Sequence, residues 1–270
     1  MVQKTNRPDV IHDEDTDHFY LNGVGKKENK GMEIRNNIIF WNCNGWRGDG
    51  TIDKATLLGA IARDEEADMM CITDVRLDNL DGLKGKSTIC RTLGRITGKA
   101  WAGEYMARRE DKRTGGAYIF HTVDWANVKM NERIKYGVMT EINGNWHGRK
   151  YKVISVYRPC YGQSEGSLRI TLDLELKAKF EEEFWNKLVN LSNETCIIGG
   201  DFNMGRDQID KKIIKEGMQV ERRNMPGNPD TFHRWDNVKL NMQSSAIDHI
   251  LITNSEGGGA KVSDTGLDLK

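Results

Sequence analysis

One stretch constrains this chain more than any other: an apolar run that ends in Gly199-Gly200-Asp201-Phe202-Asn203. Residues i and i+2 of an extended backbone lie on the same side, so we expect Asp201 and Asn203 to face one spot at the end of a buried strand. The two glycines let the backbone turn there and let another group approach closely. A carboxylate beside an amide can take a proton from water and hold a phosphate oxygen. An ordinary strand exit with an Asx turn has the same local sequence.

Similar polar residues stand at other predicted strand ends. Asn42, Asp74 and Asp248 each adjoin an apolar run, and each alone is only a polar residue at a turn. Together with Asp201 and Asn203 they supply three carboxylates and two amides at the same kind of position. Such hard oxygen donors, with few histidines nearby, favour Mg²⁺ or Mn²⁺ over zinc. The sequence contains no Walker-type loop and no HExxH motif.

Composition limits the partners and the compartment. The 270 residues carry no net charge, so binding of nucleic acid would need a local basic patch. No apolar run is long enough to span a membrane, and the N-terminus lacks the apolar core of a signal peptide. Five scattered cysteines without a CxxC pair predict buried thiols in a reducing, intracellular compartment. The choice between nucleus and cytoplasm stays open.

The spacing of apolar residues predicts one domain after a leader. Residues 1–34 are polar and are predicted to be disordered, and residues 35–270 form the domain. Strands arrive in antiparallel-looking pairs separated by a few helices, which predicts an α/β sandwich of two sheets with helices outside. The predicted helices are 52–65, 86–96, 168–191 and 210–216, the last ended by Gly217. The predicted strand pairs are 101–107 with 115–121, and 138–142 with 150–157 across a turn at 143–145.

Five pieces of sequence, in order, carry a resemblance that covers residues 37 to about 264. They are Trp41-Asn42-Cys43-Asn44-Gly45, Asp68 to Asp74, Val156-Tyr157-Arg158-Pro159, Gly200-Asp201-Phe202-Asn203, and Ala246 to Leu251. The chain resembles the endonuclease/exonuclease/phosphatase family, and most of all the apurinic-type endonuclease domains of LINE-type (non-LTR) retrotransposons. The resemblance implies a four-layer α/β/β/α sandwich in which two mixed β-sheets pack face to face. It also implies a Mg²⁺- or Mn²⁺-dependent endonuclease whose in-line water attack leaves a 3′-hydroxyl and a 5′-phosphate.

The resemblance assigns a role to each polar strand end. It makes Asp74 the metal ligand, oriented by Asn42, which also contacts the metal and the phosphate. Tyr157 would hydrogen-bond the scissile phosphate, Asp201 would take a proton from the attacking water, and Asn203 would hold the pentacovalent transition state. Asp248 would orient a histidine.

Two departures from the family pattern concern chemistry. Asp74 stands where the family usually has glutamate; the shorter side chain moves the metal by about an ångström or admits a water, and such a displacement can cost about a hundredfold in rate. The family also ends in a Ser-Asp-His triplet with a catalytic histidine. Here the chain stops at Lys270 before the triplet, or Ser263-Asp264-Thr265 replaces it. We expect the first, so the domain would lack its last strand. On either alignment the catalytic histidine is absent, and His249, next to Asp248 on a strand, would point to the opposite face.

The substrate is predicted from the resemblance and from basic residues. Arg108, Arg109 and Arg113 belong to a charged link that suits a DNA backbone contact or, equally, a solvated hairpin tip. Asn44, Arg158 and His233 are further candidate substrate contacts. Three functions stay open: a nicking endonuclease for duplex DNA that accompanies a reverse transcriptase domain in one polyprotein, a phosphatase or deadenylase acting on RNA or a phosphorylated small molecule, and a decayed, non-catalytic module that binds nucleic acid or a partner.

Overall fold

The computed structural model describes residues 17–24, 35–46, 54–108, 115–135, 137–159, 174–222, 232–236, 241–245, 248–253 and 259–262. Within these ranges the helices are α1 (Lys54–Asp64), α2 (Asn79–Thr97), α3 (Leu174–Ser192) and α4 (Arg206–Glu216). The first strands are β1 (Asp17–Val24), β2 (Arg35–Asn42), β3 (Met69–Thr73), β4 (Trp101–Met106), β5 (Ala117–Thr122), β6 (Trp125–Ile134) and β7 (Met139–Trp146). The others are β8 (Arg149–Tyr157), β9 (Ile197–Asp201), β10 (Val220–Arg222), β11 (Phe232–Asp236), β12 (Asn241–Ser245), β13 (Asp248–Thr253) and β14 (Gly259–Val262).

The strands form two six-stranded sheets and one small hairpin. The first sheet has the order β14-β1-β2-β3-β5-β4, the second has the order β10-β13-β9-β8-β7-β6, and β11 pairs with β12 alone. Both large sheets are mixed, because β2–β3 and β8–β9 are parallel while their other pairs are antiparallel. The predicted sandwich of two mixed sheets with outer helices is confirmed.

Three clusters of buried side chains hold the layers together. Successive residues of a strand point to opposite faces of the sheet and so belong to different clusters. In β2, Ile38 and Phe40 belong to the cluster between the sheets, which we call the seam. The intervening Ile39 and Trp41 pack with residues of α1 and α2. A third cluster joins the second sheet to α3 and α4. A central strand with two buried faces reads as a continuous apolar run, as β2 and β3 do.

Two predicted helices begin earlier than their apolar pattern indicated. Helix α2 begins at Asn79 because Asp78 caps it: its Oδ1 accepts a hydrogen bond from the Asp81 N–H at 2.8 Å. Helix α4 begins at Arg206 and ends at Glu216, and the following Gly217, with a φ of 65°, is the predicted C-cap. Residues 168–173 of the predicted third helix lie outside the described residues.

The turn predicted at 143–145 lies elsewhere. Strands β7 and β8 are joined by His147 and Gly148, whose φ values of 45° and 78° suit the two-residue turns that match strand twist. Gly144 lies inside β7, where an added Cβ would come within 2.8 Å of the Trp125 ring. The glycine therefore serves side-chain packing there, and the prediction took a packing glycine for a turn glycine.

Part of the predicted leader belongs to the first sheet. Strand β1 pairs with β2 over its whole length and with β14 on its other side. Phe19, Tyr20 and Leu21 favour strand structure, and the open edge of β2 offers unpaired backbone groups. None of the described helices has the length and apolarity needed to cross a membrane.

Candidate active site

The predicted strand ends meet at one end of the seam. Asn42 continues the alternation of Ile38 and Phe40, which lie in the seam, and Tyr157 continues that of Val153. Strand β2 contacts β9 across the two sheets, and β3 contacts β8. The parallel pairs β2–β3 and β8–β9 therefore bring their carboxyl ends to the same place.

Two glycines of β9 allow this close approach. A Cβ on Gly199 would lie 2.6 Å from the ring of Phe40, which belongs to the opposite sheet. Gly200 has a φ of 132°, and a Cβ there would lie 2.1 Å from the carbonyl oxygen of Val156. Both positions exclude larger residues, as the sequence predicted.

Asp201 is buried and held by amide donors. Its Oδ2 accepts hydrogen bonds from Asn42 Nδ2 at 2.7 Å and from Asn203 Nδ2 at 3.1 Å. Its Oδ1 accepts the backbone N–H of Asn203 at 2.7 Å. The Asn203 amide also donates to the carbonyl oxygen of Arg158 at 2.7 Å. Since a carboxylate has about four acceptor positions, about one remains for a water molecule.

The surroundings of Asp201 oppose its ionisation. Burial, and to a smaller extent the neighbouring Asp74 carboxylate, raise the pKa of Asp201 to about 7. The hydrogen bonds from Asn203 and Asn42, and the charge of Arg158, act in the other direction. Such a carboxylate can exchange a proton near neutral pH.

Asp74 is buried too, but its oxygens are fully used. Oδ1 accepts the backbone N–H of Gly115 at 3.0 Å. Oδ2 accepts Arg76 Nε at 3.0 Å and Nη2 at 2.6 Å. Tyr157 also donates a side-chain hydrogen bond to Asp74, and this bond and Arg76 lower its pKa against the larger effect of burial, which raises it.

The sequence analysis missed Arg76. Asp74 and Arg76 both have positive φ, 53° and 57°, so the alternation of an extended strand does not apply to them. The available signal was an arginine two residues after an acid that follows an apolar run. The backbone turns that bring Asp74 and Arg76 together are held by hydrogen bonds to Gly45 and Gly115, which are distant in sequence.

This arrangement does not fit the metal site expected from the resemblance. Asp74 accepts four hydrogen bonds, three of them from Arg76 and Gly115 and one from Tyr157, which fills its acceptor positions. The described residues contain no group of three or more His, Cys, Asp or Glu that could hold an ion. A cation could bind Asp74 only after displacing Arg76.

The other predicted residues have varied positions. Asp248 pairs with Asp201 in the antiparallel ladder between β13 and β9. His249 lies on the opposite face, as predicted, where Nε2 donates to the carbonyl oxygen of Met204 at 2.7 Å. The exposed Asn44 lies in the site: its N–H donates to Asn42 Oδ1 at 3.0 Å, and its own Oδ1 accepts from Arg76.

Five candidate substrate contacts fall outside this cluster or outside the described residues. Arg158 is buried, with Nε on Glu181 Oε1 at 3.0 Å and Nη1 on the carbonyl oxygen of Phe202 at 3.1 Å. Arg108 follows β4, where its N–H donates to the carbonyl oxygen of Leu77 at 3.2 Å. Arg109 and Arg113 lie outside the described residues. His233 lies on β11, for which the structure describes the backbone only.

Solved structures share this fold at low sequence identity. The endonuclease domain of TRAS1, a telomere-specific non-LTR retrotransposon, matches with a TM-score of 0.51 and 11% identity over 80% of this chain and 84% of that chain. An endonuclease/exonuclease/phosphatase family protein from Leptotrichia buccalis matches with a TM-score of 0.53 and 12% identity over 79% and 86%. The AP endonuclease LMAP from Leishmania major matches with a TM-score of 0.55 and 11% identity over 94% and 84%. No protein-family profile matches the sequence, and no curated protein matches it.

Proposed function

We propose that this chain, which has the fold of the endonuclease/exonuclease/phosphatase proteins, hydrolyses phosphodiester bonds in nucleic acid. One observation carries the proposal: a buried carboxylate, Asp201, is held by Asn42 and Asn203 at the end of the seam with one acceptor position remaining. A fixed carboxylate with a pKa near neutrality is suited to act as a general base.

The proposed reaction uses Asp201 as the base and gives the products that the resemblance implies. A water molecule donates its hydrogen bond to Asp201, loses its proton to the carboxylate, and attacks phosphorus in line with the 3′ oxygen. The bond between phosphorus and the 3′ oxygen breaks, the leaving oxygen takes up a proton, and the products are a 3′-hydroxyl and a 5′-phosphate. Asn203 and Tyr157 can stabilise the negative charge that develops on the phosphate oxygens only by exchanging partners, because the Asn203 amide donates to Asp201 and to the carbonyl oxygen of Arg158, and the Tyr157 hydroxyl donates to Asp74.

Duplex DNA is the substrate we propose. The solved structures that share this fold include a retrotransposon endonuclease domain and an AP endonuclease. The retroelement role, with a reverse transcriptase domain in the same polyprotein, is part of this proposal. The Mg²⁺ or Mn²⁺ dependence implied by the resemblance stays a prediction, and no step above passes through a metal ion.

Nicking of supercoiled plasmid tests the proposed function. The chain is incubated with Mg²⁺, with Mn²⁺ and with EDTA, beside Asp201→Asn and the matched control Asp207→Asn. Asp207 is an exposed carboxylate in the first turn of α4. Loss of a general base costs about a hundredfold to ten-thousandfold in rate, so Asp201→Asn should be nearly inactive while Asp207→Asn nicks like the unmodified chain.

The ends of the nick provide the second readout. A DNA ligase should reseal the product, because sealing needs a 3′-hydroxyl beside a 5′-phosphate. Equal nicking by Asp201→Asn would assign the activity to a contaminant and contradict the mechanism. A folded chain that binds DNA but nicks under none of these conditions would support the non-catalytic module instead.

A further inference from the structure

Arg76 is built into the site by the backbone around it. Its own φ is 57°, and its N–H donates to the carbonyl oxygen of Gly115 at 2.8 Å. Its side-chain stem lies over Gly45, where an added Cβ would approach Arg76 Cδ to 3.2 Å. Gly45 has a φ of 88° and its N–H donates to the carbonyl oxygen of Asp74 at 2.8 Å. The direction of the arginine is therefore set by two loops that follow β2 and β3.

The guanidinium is anchored along one edge. Nε and Nη2 both donate to Asp74 Oδ2, and Nη2 also donates to Asn44 Oδ1. Within the described part of the chain, Nη1 has no hydrogen-bond acceptor. The side chain of Arg76 is 34% exposed, whereas that of Asp74 is 1% exposed. The guanidinium is thus held in place and partly exposed, and Nη1 is the nitrogen that has no acceptor among the described residues.

The position of this cation connects it to the proposed reaction. Asn44 joins the Arg76 guanidinium to Asn42, and Asn42 in turn donates to Asp201. Asp74, which anchors Arg76, also accepts the hydrogen bond from Tyr157. An anion bound at Nη1 would therefore contact the same hydrogen-bonded network that holds Asp201 and Tyr157.

We propose that Arg76 is a resident cation of the site: it takes the place beside Asp74 that the resemblance assigns to a divalent metal, and its outer edge binds a non-bridging phosphate oxygen. Asp74 is then a positioning residue for Arg76. The planar guanidinium suits this task because its fork of donors matches phosphate oxygens. That the anion is a phosphodiester rests on the proposed function, whereas the competition between Arg76 and a metal ion does not.

Equilibrium binding of Mn²⁺ tests the competition without any reaction. Free Mn²⁺ is measured by electron paramagnetic resonance with the unmodified chain, with Arg76→Gln and with Asp74→Asn. The unmodified chain and Asp74→Asn should bind weakly. Arg76→Gln should bind at least about tenfold more tightly, because a buried carboxylate that has lost its guanidinium takes another cation. Tight binding by the unmodified chain, unchanged in Arg76→Gln, would overturn the proposal.

Binding of DNA in EDTA tests the phosphate contact. The probe is a fluorescein-labelled duplex oligonucleotide, followed by anisotropy. Loss of one charged hydrogen bond should weaken binding by Arg76→Gln by about tenfold to a hundredfold, with Arg76→Lys retaining part of the affinity. The matched control is Arg63→Gln, an exposed arginine in the last turn of α1. Equal affinity of Arg76→Gln and Arg63→Gln would overturn the contact.

A double variant answers the question if Arg76→Gln does not fold. Asp74→Asn/Arg76→Gln removes both charges and leaves no buried carboxylate without a partner. Circular dichroism verifies the fold of the double variant. It should bind Mn²⁺ more weakly than Arg76→Gln does, and it should bind the oligonucleotide more weakly than the unmodified chain does. Unchanged oligonucleotide binding by a folded double variant would count against Arg76. Absence of nicking in every form would remove the proposed function, while the Mn²⁺ comparison would still decide the role of Arg76.

Discussion

His249 is a titratable side chain that the fold keeps neutral. Burial lowers its pKa to about 4, with smaller lowering by Arg222 and Arg206, while its bond to Met204 and the charge of Asp210 act in the other direction. The unfolded chain binds a proton below about pH 6.5, and the folded chain does so only below about pH 4. Stability therefore rises with pH across this window and is lost as pH falls through it.

The first prediction is that His249→Gln flattens this pH dependence. Glutamine can still donate to the Met204 carbonyl but has no proton to gain. The free energy of unfolding between pH 6.5 and 4 should fall by about 3 kcal/mol less than in the unmodified chain. Urea unfolding at several pH values measures it. His147→Asn, at the exposed β7–β8 turn, is the control, and the same flattening there would contradict the assignment to His249.

Arg158 was predicted to contact substrate, and the structure instead buries its guanidinium between α3 and the residues that follow β9. It pairs with Glu181, which also accepts a hydrogen bond from Trp185 Nε1 at 3.0 Å, and it donates to the carbonyl oxygen of Phe202. The chain on either side of Asp201 is thereby tied to α3. The sequence does not show whether the guanidinium of an arginine that follows a strand is exposed to solvent or buried.

The second prediction follows from this burial. Arg158→Met should lower the free energy of unfolding by on the order of 3 kcal/mol, because it leaves a partly buried carboxylate without its partner. Arg158→Met/Glu181→Gln should recover part of the loss. Urea unfolding measures both, with DNA anisotropy beside it. A fully stable Arg158→Met that no longer bound DNA would support the substrate contact instead.

At the level of elements, α2 contains one glycine that close packing requires and another that has room for a side chain. A Cβ on Gly82 would lie 1.9 Å from the ring of Tyr105, whose hydroxyl donates to the carbonyl oxygen of Leu77. A Cβ on Gly94 would meet only the carbonyl oxygen of Lys99, at 3.4 Å. The helix therefore packs closely on β4 at Gly82, whereas the position of Gly94 has room for a methyl group.

The third prediction compares these two positions in one helix. Alanine is favoured over glycine in a helix by about 1 kcal/mol, so Gly94→Ala should stabilise the chain by up to that amount. Gly82→Ala should destabilise it by about 1 to 3 kcal/mol, because Tyr105 must move to admit the methyl group. Urea unfolding of both variants measures the difference. Equal effects at the two positions would mean that α2 does not press on Tyr105.

At the level of the whole molecule, the seam joins the two sheets and supports the site at its end. Phe40 from the first sheet packs on Gly199 of the second, four residues before Asn203. The hydrogen bond from Asn42 to Asp201 then connects residues 159 positions apart in the chain. Stability and site geometry should therefore change together when the seam is altered.

The fourth prediction tests this dependence. Phe40→Ala should lower the free energy of unfolding by about 3 to 5 kcal/mol and reduce any activity of the folded chain. Unfolding should stay a single transition by tryptophan fluorescence and circular dichroism, since both sheets share the seam. Phe180→Ala, a partly buried position on α3, is the control and should affect the site less. Two separate transitions would show that the sheets unfold independently.

The sequence by itself determined the layers and located the polar residues at several strand ends. Apolar runs and their alternation predicted the sandwich, and the polar residues that end those runs, such as Asn42 and Asp201, do meet in the structure. The alternation is local, because it depends only on which side of a strand each residue takes. It therefore placed the strand ends without knowledge of their partners.

Only the tertiary structure decided which charges pair. Asp74 faces Arg76, Arg158 faces Glu181, and β1 completes the first sheet. The first pair depends on left-handed backbone turns, and the second depends on the direction of a long flexible side chain. The position of β1 depends on an open sheet edge elsewhere in the chain. None has a repeating pattern along the sequence, so the polar residues could be located in advance but the cation that Asp74 binds could not.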